Sequence, residues 1–143
     1  MTQIAELLKG KSGDVTRIAG DATVFDAVKA MVDANIGAVL VTDGDDIIGI
    51  FTERDYLRRI AAEEVQARDT LVRDVMSSPV LIVTPATSVD ETMALMTDRR
   101  IRHAPVVDDG ALVAMISIGD LVKFQSQKQS FELQYLTDYI QAR

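Results

Sequence analysis

Two short stretches combine side chains that could read a sugar phosphate. Thr52-Glu53-Arg54-Asp55 follows the apolar run Gly49-Ile50-Phe51, and Ser117-Ile118-Gly119-Asp120 follows Ala114-Met115-Ile116. Each sets a hydroxyl where a strand gives way to a helix and a carboxylate three residues later. A carboxylate accepts both hydrogens of a cis diol, the device that dinucleotide folds use for ribose. The hydroxyl, the unpaired N–H groups and the dipole of a helix start favour an anion. Gly119 allows a ligand close to the backbone. The same spacing is also that of a capping box. The acid is Asp in both copies, not the longer Glu that reaches back best; at a helix start taken alone the cap is the stronger reading.

A second group is Arg99, Arg100, Arg102 and His103, the one basic cluster in a chain of net charge −7. Such a group can be a solvated helix end. In an acidic chain a concentrated basic turn is more informative, and on the residues alone a solvated helix end and a phosphate contact stand level. His103 is the sole histidine and reads as a phosphate contact with no acid–base role. No catalytic constellation is visible, and the chain does not read as an enzyme. There is no cysteine, no phosphate-binding glycine motif and no residue set for a zinc site. Asp43, Asp45 and Asp46 suit a hairpin tip better than a calcium loop; no metal site is expected. The methionines at 31, 76, 93, 96 and 115 read as core fillers.

The elements that must position these groups follow from patterning. With 143 residues, 48% of them apolar, the chain holds one domain or two small intimate repeats. The acidic balance disfavours nucleic acid and anionic membranes. No apolar run approaches a membrane span and residues 1–9 do not resemble a signal peptide, so a cytoplasmic protein is expected. Ile4, Leu7 and Leu8 mark a short helix ended by Gly10, and Val15 to Ile18 an extended segment. Thr23 caps a helix that Asn35 to Gly37 ends. Ala38 to Thr42 and Ile47 to Phe51 are strands joined at Asp43-Gly44-Asp45-Asp46. A helix runs from Thr52 to about Glu64, and Gln66 to Asp69 is a polar connector between halves.

Shifting the chain by 65 residues brings the same order back without a gap from Thr23 through Arg59. Thr23 falls on Ser88, Met31 on Met96, Asp33 on Asp98, Ile36 on Ile101, Thr52 on Ser117 and Asp55 on Asp120. The chain is a duplication, each half reading strand, helix, strand, strand, helix. Residues from 130 on lie outside the repeat. Phe131, Tyr135 and Tyr139, flanked by Leu136 and Ile140, give a terminal helix an apolar face that suits a dimer contact.

At this point the chain resembles the CBS-domain family, as a tandem pair. The resemblance covers about Leu8 to Gln125. It rests on Asn35 to Asp43 with Gly49 to Asp55 in one half, and on Asp74-Val75-Met76, Arg99 to Asp108 and Ile116 to Leu121 in the other. It implies an α+β fold of two β-α-β-β-α repeats, 8–65 and 73–126, packed sheet to sheet in pseudo-two-fold symmetry, with a C-terminal helix over 130–143. It further implies a homodimer, and adenosine-containing ligands in clefts between the repeats: AMP first, with ADP, ATP, NAD and S-adenosylmethionine in the same class.

Carried over position by position, the first-ranked cleft takes Thr16, Ile36, Gly37 and Ala38 around the base. Arg102 and His103 serve the phosphate, with Ser117, Gly119 and Asp120 on the ribose side. The second cleft takes Thr52, Arg54 and Asp55, with Val80, Leu81 and Ile101 about the base. It ranks second because Gly37 and Ala38, which stand at the positions of Arg102 and His103, carry no charge. The implied function is a sensor that binds an adenosine nucleotide and signals to a separate, unidentified protein. The alternative is an interaction module with empty clefts whose dimer surface is the function. A weak nucleotide hydrolase and a nucleic-acid binder rank below both.

Overall fold

A computed structural model describes residues 1–11 and 14–141. The fold is α+β, with a three-stranded and a two-stranded sheet. The chain divides into two compact units, Asp14–Ile82 and Met1–Gly13 joined with Val83–Arg143. This division cuts the chain differently from the repeats read in the sequence. The connector at 66–69 lies inside the first unit, and the N-terminal segment belongs with the second repeat.

In the first unit, β1 (Arg17–Ala19) pairs parallel with β2 (Ala38–Asp43), and β2 pairs antiparallel with β3 (Asp46–Thr52). Helix α2 (Val24–Ala34) starts where the Thr23 hydroxyl accepts the Asp26 N–H at 3.1 Å and ends at Asn35 in the left-handed conformation, φ 55°. Asn tolerates that conformation better than most residues. Val24, Ala27 and Met31 of α2 pack with Val39, Val41, Phe51, Ile60, Val72 and Val75 in one buried cluster. Val72 and Val75 come from the lead-in to the second repeat. That lead-in is tied down by bonds from Val24 N–H to Thr70 O, 2.9 Å, and from Val72 N–H to Ala22 O, 2.9 Å.

The helix expected from Thr52 to Glu64 is shorter and less regular. Helix α3 spans Glu53–Asp55 and continues as a wider helical stretch over Tyr56–Ala61. There the Ala62 N–H reaches Leu57 O at 3.0 Å, five residues back instead of four, the mark of a π-type turn.

In the second unit, α1 (Ile4–Leu8) buries Ile4 and Leu7. It is anchored by bonds from Ile4 N–H to Thr87 O, 2.8 Å, and from Ala5 N–H to Pro85 O, 2.9 Å. Helix α4 (Val89–Arg99) is capped by Ser88, and β4 (His103–Asp108) pairs with β5 (Ala111–Ser117). The strand expected first in this repeat is absent; only Val83 bridges Val106. Two prolines account for this. In the first repeat the parallel pairing includes bonds from Leu40 N–H to Thr16 O and from Gly20 N–H to Thr42 O. The residues 65 positions on are Pro105 and Pro85, which have no N–H to donate.

Helix α5 is a single helix, Ile118–Gln141. The terminal helix expected from residue 130 is therefore the continuation of the repeat's last helix. Phe131, Leu133 and Leu136 are exposed on it, at 75%, 66% and 54%. The expected apolar row also named Tyr135, Tyr139 and Ile140, whose side chains lie outside the described residues, as do residues 142 and 143. No helix among the described residues is long and apolar enough to cross a membrane.

Candidate functional site

Both Ser/Thr-to-Asp stretches lie at a strand end, where an extended residue turns into a helix. In the first unit Thr52 has φ −121° and ψ 166°. Its Oγ1 accepts the Asp55 N–H at 3.1 Å, and Asp55 Oδ2 accepts the Thr52 N–H at 3.0 Å. In the second unit the Asp120 N–H donates to Ser117 Oγ at 3.0 Å, and the Ser117 N–H to Asp120 Oδ2 at 2.9 Å. Both are closed capping boxes. The cap expected beside any binding role is thus made in both units, although the acid is the shorter Asp. The extended backbone of the first residue carries its N–H to within reach of the shorter acid.

What differs is the second partner of each carboxylate. Ser77 Oγ donates to Asp55 Oδ1 at 2.8 Å. Ser77 is held there by a two-way bridge with Ile50, its N–H reaching Ile50 O at 2.8 Å and its O accepting the Ile50 N–H at 3.0 Å. On Asp120 the second partner is a cation: Lys11 Nζ lies 2.7 Å from Oδ2, with both side chains about one-third exposed. Burial pushes the Asp120 carboxyl up, but the Lys11 hydrogen bond, the Ser117 backbone bond and the Lys11 charge outweigh it and hold the group below its ordinary value.

The β4–β5 register sets His103 opposite Ser117, and the Ile118 N–H donates to Arg102 O at 2.8 Å. Arg102, His103, Ser117, Gly119 and Asp120 are therefore gathered at one end of the two-stranded sheet, with Ile101 just before it. Arg100 occupies the left-handed position that Asn35 holds in the first repeat, φ 56°. In the first unit Ala38 stands opposite Thr52, and the Glu53 N–H donates to Gly37 O at 3.1 Å. Thr16 is placed by its carbonyl bond to Leu40, and Arg54 is exposed on α3. Val80 and Leu81, half-buried, belong to this unit too.

Ile36 and Gly37 also line a cavity of about 500 Å³ with Val28, Met31, Val32, Asn35, Glu53, Tyr56 and Leu57. Its volume lies in the range of small-molecule sites. Sequence reasoning missed Lys11 and Ser77, and it missed this cavity. Ser77 follows the quoted Asp74-Val75-Met76, and its neighbour Met76 is the counterpart of Lys11; that alignment was the available signal. Among the described residues no group of three or more His, Cys, Asp or Glu could hold a metal ion.

The family model described as CBS domain matches residues 6–62 and again 72–127. A CBS domain-containing protein of Arabidopsis thaliana, CBSX3, named as mitochondrial, is 44% identical, the match covering 98% of this chain and 72% of that protein. The match covers 54% of another curated relative and 18% of two others. Among solved structures, a Burkholderia ambifaria chain described as a signal-transduction protein with CBS domains is 47% identical with a TM-score of 0.81, over 85% of this chain and 92% of that one. A hexameric CBS-CP12 protein from bloom-forming cyanobacteria is 31% identical with a TM-score of 0.75, over 85% of this chain and 70% of that one. With two matched domains and a fold shared with these structures, the chain is a tandem CBS pair and belongs to the CBS-domain family.

Proposed function

We propose that the protein is a regulatory module that binds an adenosine-containing ligand at its Ser/Thr-to-Asp boxes, AMP first among AMP, ADP, ATP and NAD, and relays its level to a separate protein. The observation that carries this is the Asp120 carboxylate. It sits at the start of a 24-residue helix, gathered with Arg102, His103 and Gly119 by the β4–β5 pairing. The cap bond and the Lys11 bond both fall on Oδ2, and the carboxylate is the group that would accept a diol. Helix start, hydroxyl and basic turn together suit a phosphate. The relatives compared carry CBS-domain and signal-transduction descriptions, not enzyme names, and no catalytic step is assigned. An aqueous intracellular compartment, the cytoplasm, suits this role.

A homodimer through α5 is part of the proposal, supported by the exposed Phe131, Leu133 and Leu136. The second reading, an interaction module, is favoured by those residues and by Val32 and Leu57, exposed at 72% and 62% beside the apolar cavity.

Titration calorimetry with AMP, ATP and NAD tests the choice. Binding to the wild type that is lost in Asp120→Ala and in Asp120→Asn, the latter retaining a cap acceptor, supports the sensor. No binding by any of the three returns the protein to the interaction reading. A larger loss in Asp55→Ala than in Asp120→Ala reverses the ranking of the two boxes.

A further inference from the structure

We infer that Lys11 is a specificity-determining residue of the Asp120 site: it covers the ribose-reading carboxylate in the free protein and moves to the ligand's phosphate on binding, so that the site selects nucleotides over nucleosides. The inference rests on the reading of Ser117–Asp120 as a ribose reader. Its own basis is the geometry around one oxygen. Asp120 Oδ2 already accepts the Ser117 N–H at 2.9 Å and Lys11 Nζ at 2.7 Å. A cis diol that uses both carboxylate oxygens needs Oδ2, and the cap bond is fixed by the backbone. Lys11 is the partner that must leave.

Lys11 is built to leave. Its side chain is about one-third exposed, on a flexible four-carbon stem. It follows Gly10, beyond the anchored helix α1, whose Ile4 is fully buried. The first unit offers a natural contrast. Position 76 there is Met, and the partner of Asp55 is the neutral hydroxyl of Ser77 at 2.8 Å. Met76 packs over Gly49: a Cβ at Gly49 would lie 2.3 Å from its sulfur. The second repeat has Ala114 at the position of Gly49 and Lys11 at that of Met76, so a packing pair in one unit is replaced by a charge pair in the other.

A nucleoside offers no anion to the displaced ammonium, whereas a nucleotide carries a phosphate that can take its charge. An exposed ion pair is worth up to a factor of about five in an equilibrium. Adenosine therefore binds the wild type up to about fivefold more weakly than it would an uncovered carboxylate, and AMP recovers that loss through Lys11.

The test is calorimetry with adenosine and with AMP on the wild type, Lys11→Met and Lys11→Arg, each first shown to unfold cooperatively. The expected result is tighter adenosine binding and nearly unchanged AMP binding in Lys11→Met. The AMP-to-adenosine preference then falls by up to about fivefold, and Lys11→Arg retains it. If both ligands bind and the preference is the same in Lys11→Met as in the wild type, the role of Lys11 is overturned and the ribose reader stands. If neither ligand binds the wild type or Lys11→Met, the ribose reader itself fails and takes the inference with it. Labelling of the Lys11 amine by an acylating reagent, followed by mass spectrometry, gives a second readout. Saturating adenosine speeds it and saturating AMP does not. Equal rates in the free and adenosine-bound protein contradict displacement.

Discussion

Replacing Gly49 by alanine should damage the first unit at a defined point. The added Cβ would lie 2.3 Å from Met76 Sδ, 2.8 Å from Met76 Cγ and 3.0 Å from Ser77 O, against ordinary carbon contacts of about 3.5–4.0 Å. The methionine can yield, because its side chain is unbranched and soft. The Ser77 carbonyl cannot, because it accepts the Ile50 N–H at 3.0 Å while the Ser77 N–H holds Ile50 O at 2.8 Å. Moving it stretches both bonds and draws Ser77 Oγ away from Asp55. Overpacking of this kind costs about 1–3 kcal/mol, and most of that cost falls on the bridge. Urea unfolding of Gly49→Ala, Met76→Ala and the double variant measures the partition. The expected result is a loss in that range for Gly49→Ala, less than half of it recovered when Met76 is shortened. A loss below about 0.5 kcal/mol, or full recovery in the double variant, would show that the fixed carbonyl is not what makes glycine necessary.

The Asp120 carboxyl is held below its ordinary value in the folded protein, so its contribution is present above the unfolded value near 3.9 and is lost as pH falls through the lower folded value. Asp120→Asn should therefore be less stable than the wild type at pH 7, by about 1 kcal/mol for a weakened cap. That gap should narrow below about pH 4; a gap that is constant from pH 7 to pH 2.5 in denaturant titrations refutes the assignment. Removing residues 130–143 should convert a dimer to a monomer in sedimentation velocity, since Phe131, Leu133 and Leu136 are exposed on that segment. A truncated protein that sediments as a dimer places the contact elsewhere.

Much of the fold was legible because its signals are local. Thr23 and Ser88 cap helices through bonds three residues on. Asn35 and the Gly44 and Asp109-Gly110 turns take the positive φ values that their residue types suggest. The 65-residue register aligned both boxes. The missing strand of the second repeat was harder to see. Pro85 and Pro105 are plain in the sequence, but which N–H groups the pairing needs is defined only by the register of Val83 against Val106. The wide turn after α3 depends on backbone angles that residue types do not specify.

By itself the sequence determined the duplication, the order of elements, the capping boxes and the family. Each of these depends on neighbours within a few residues or on a repeated pattern. Tertiary structure alone decided what each box carboxylate faces. Ser77 meets Asp55 across 22 residues and Lys11 meets Asp120 across 109. Both partners lie on lead-in segments that pack on the other repeat's unit instead of their own. No local periodicity encodes that exchange. It arises because Val72 and Val75 of one lead-in, and Ile4 and Leu7 of the other, find their burial there. The chemistry at the two boxes, a hydroxyl on one and a cation on the other, follows from where those apolar side chains are buried.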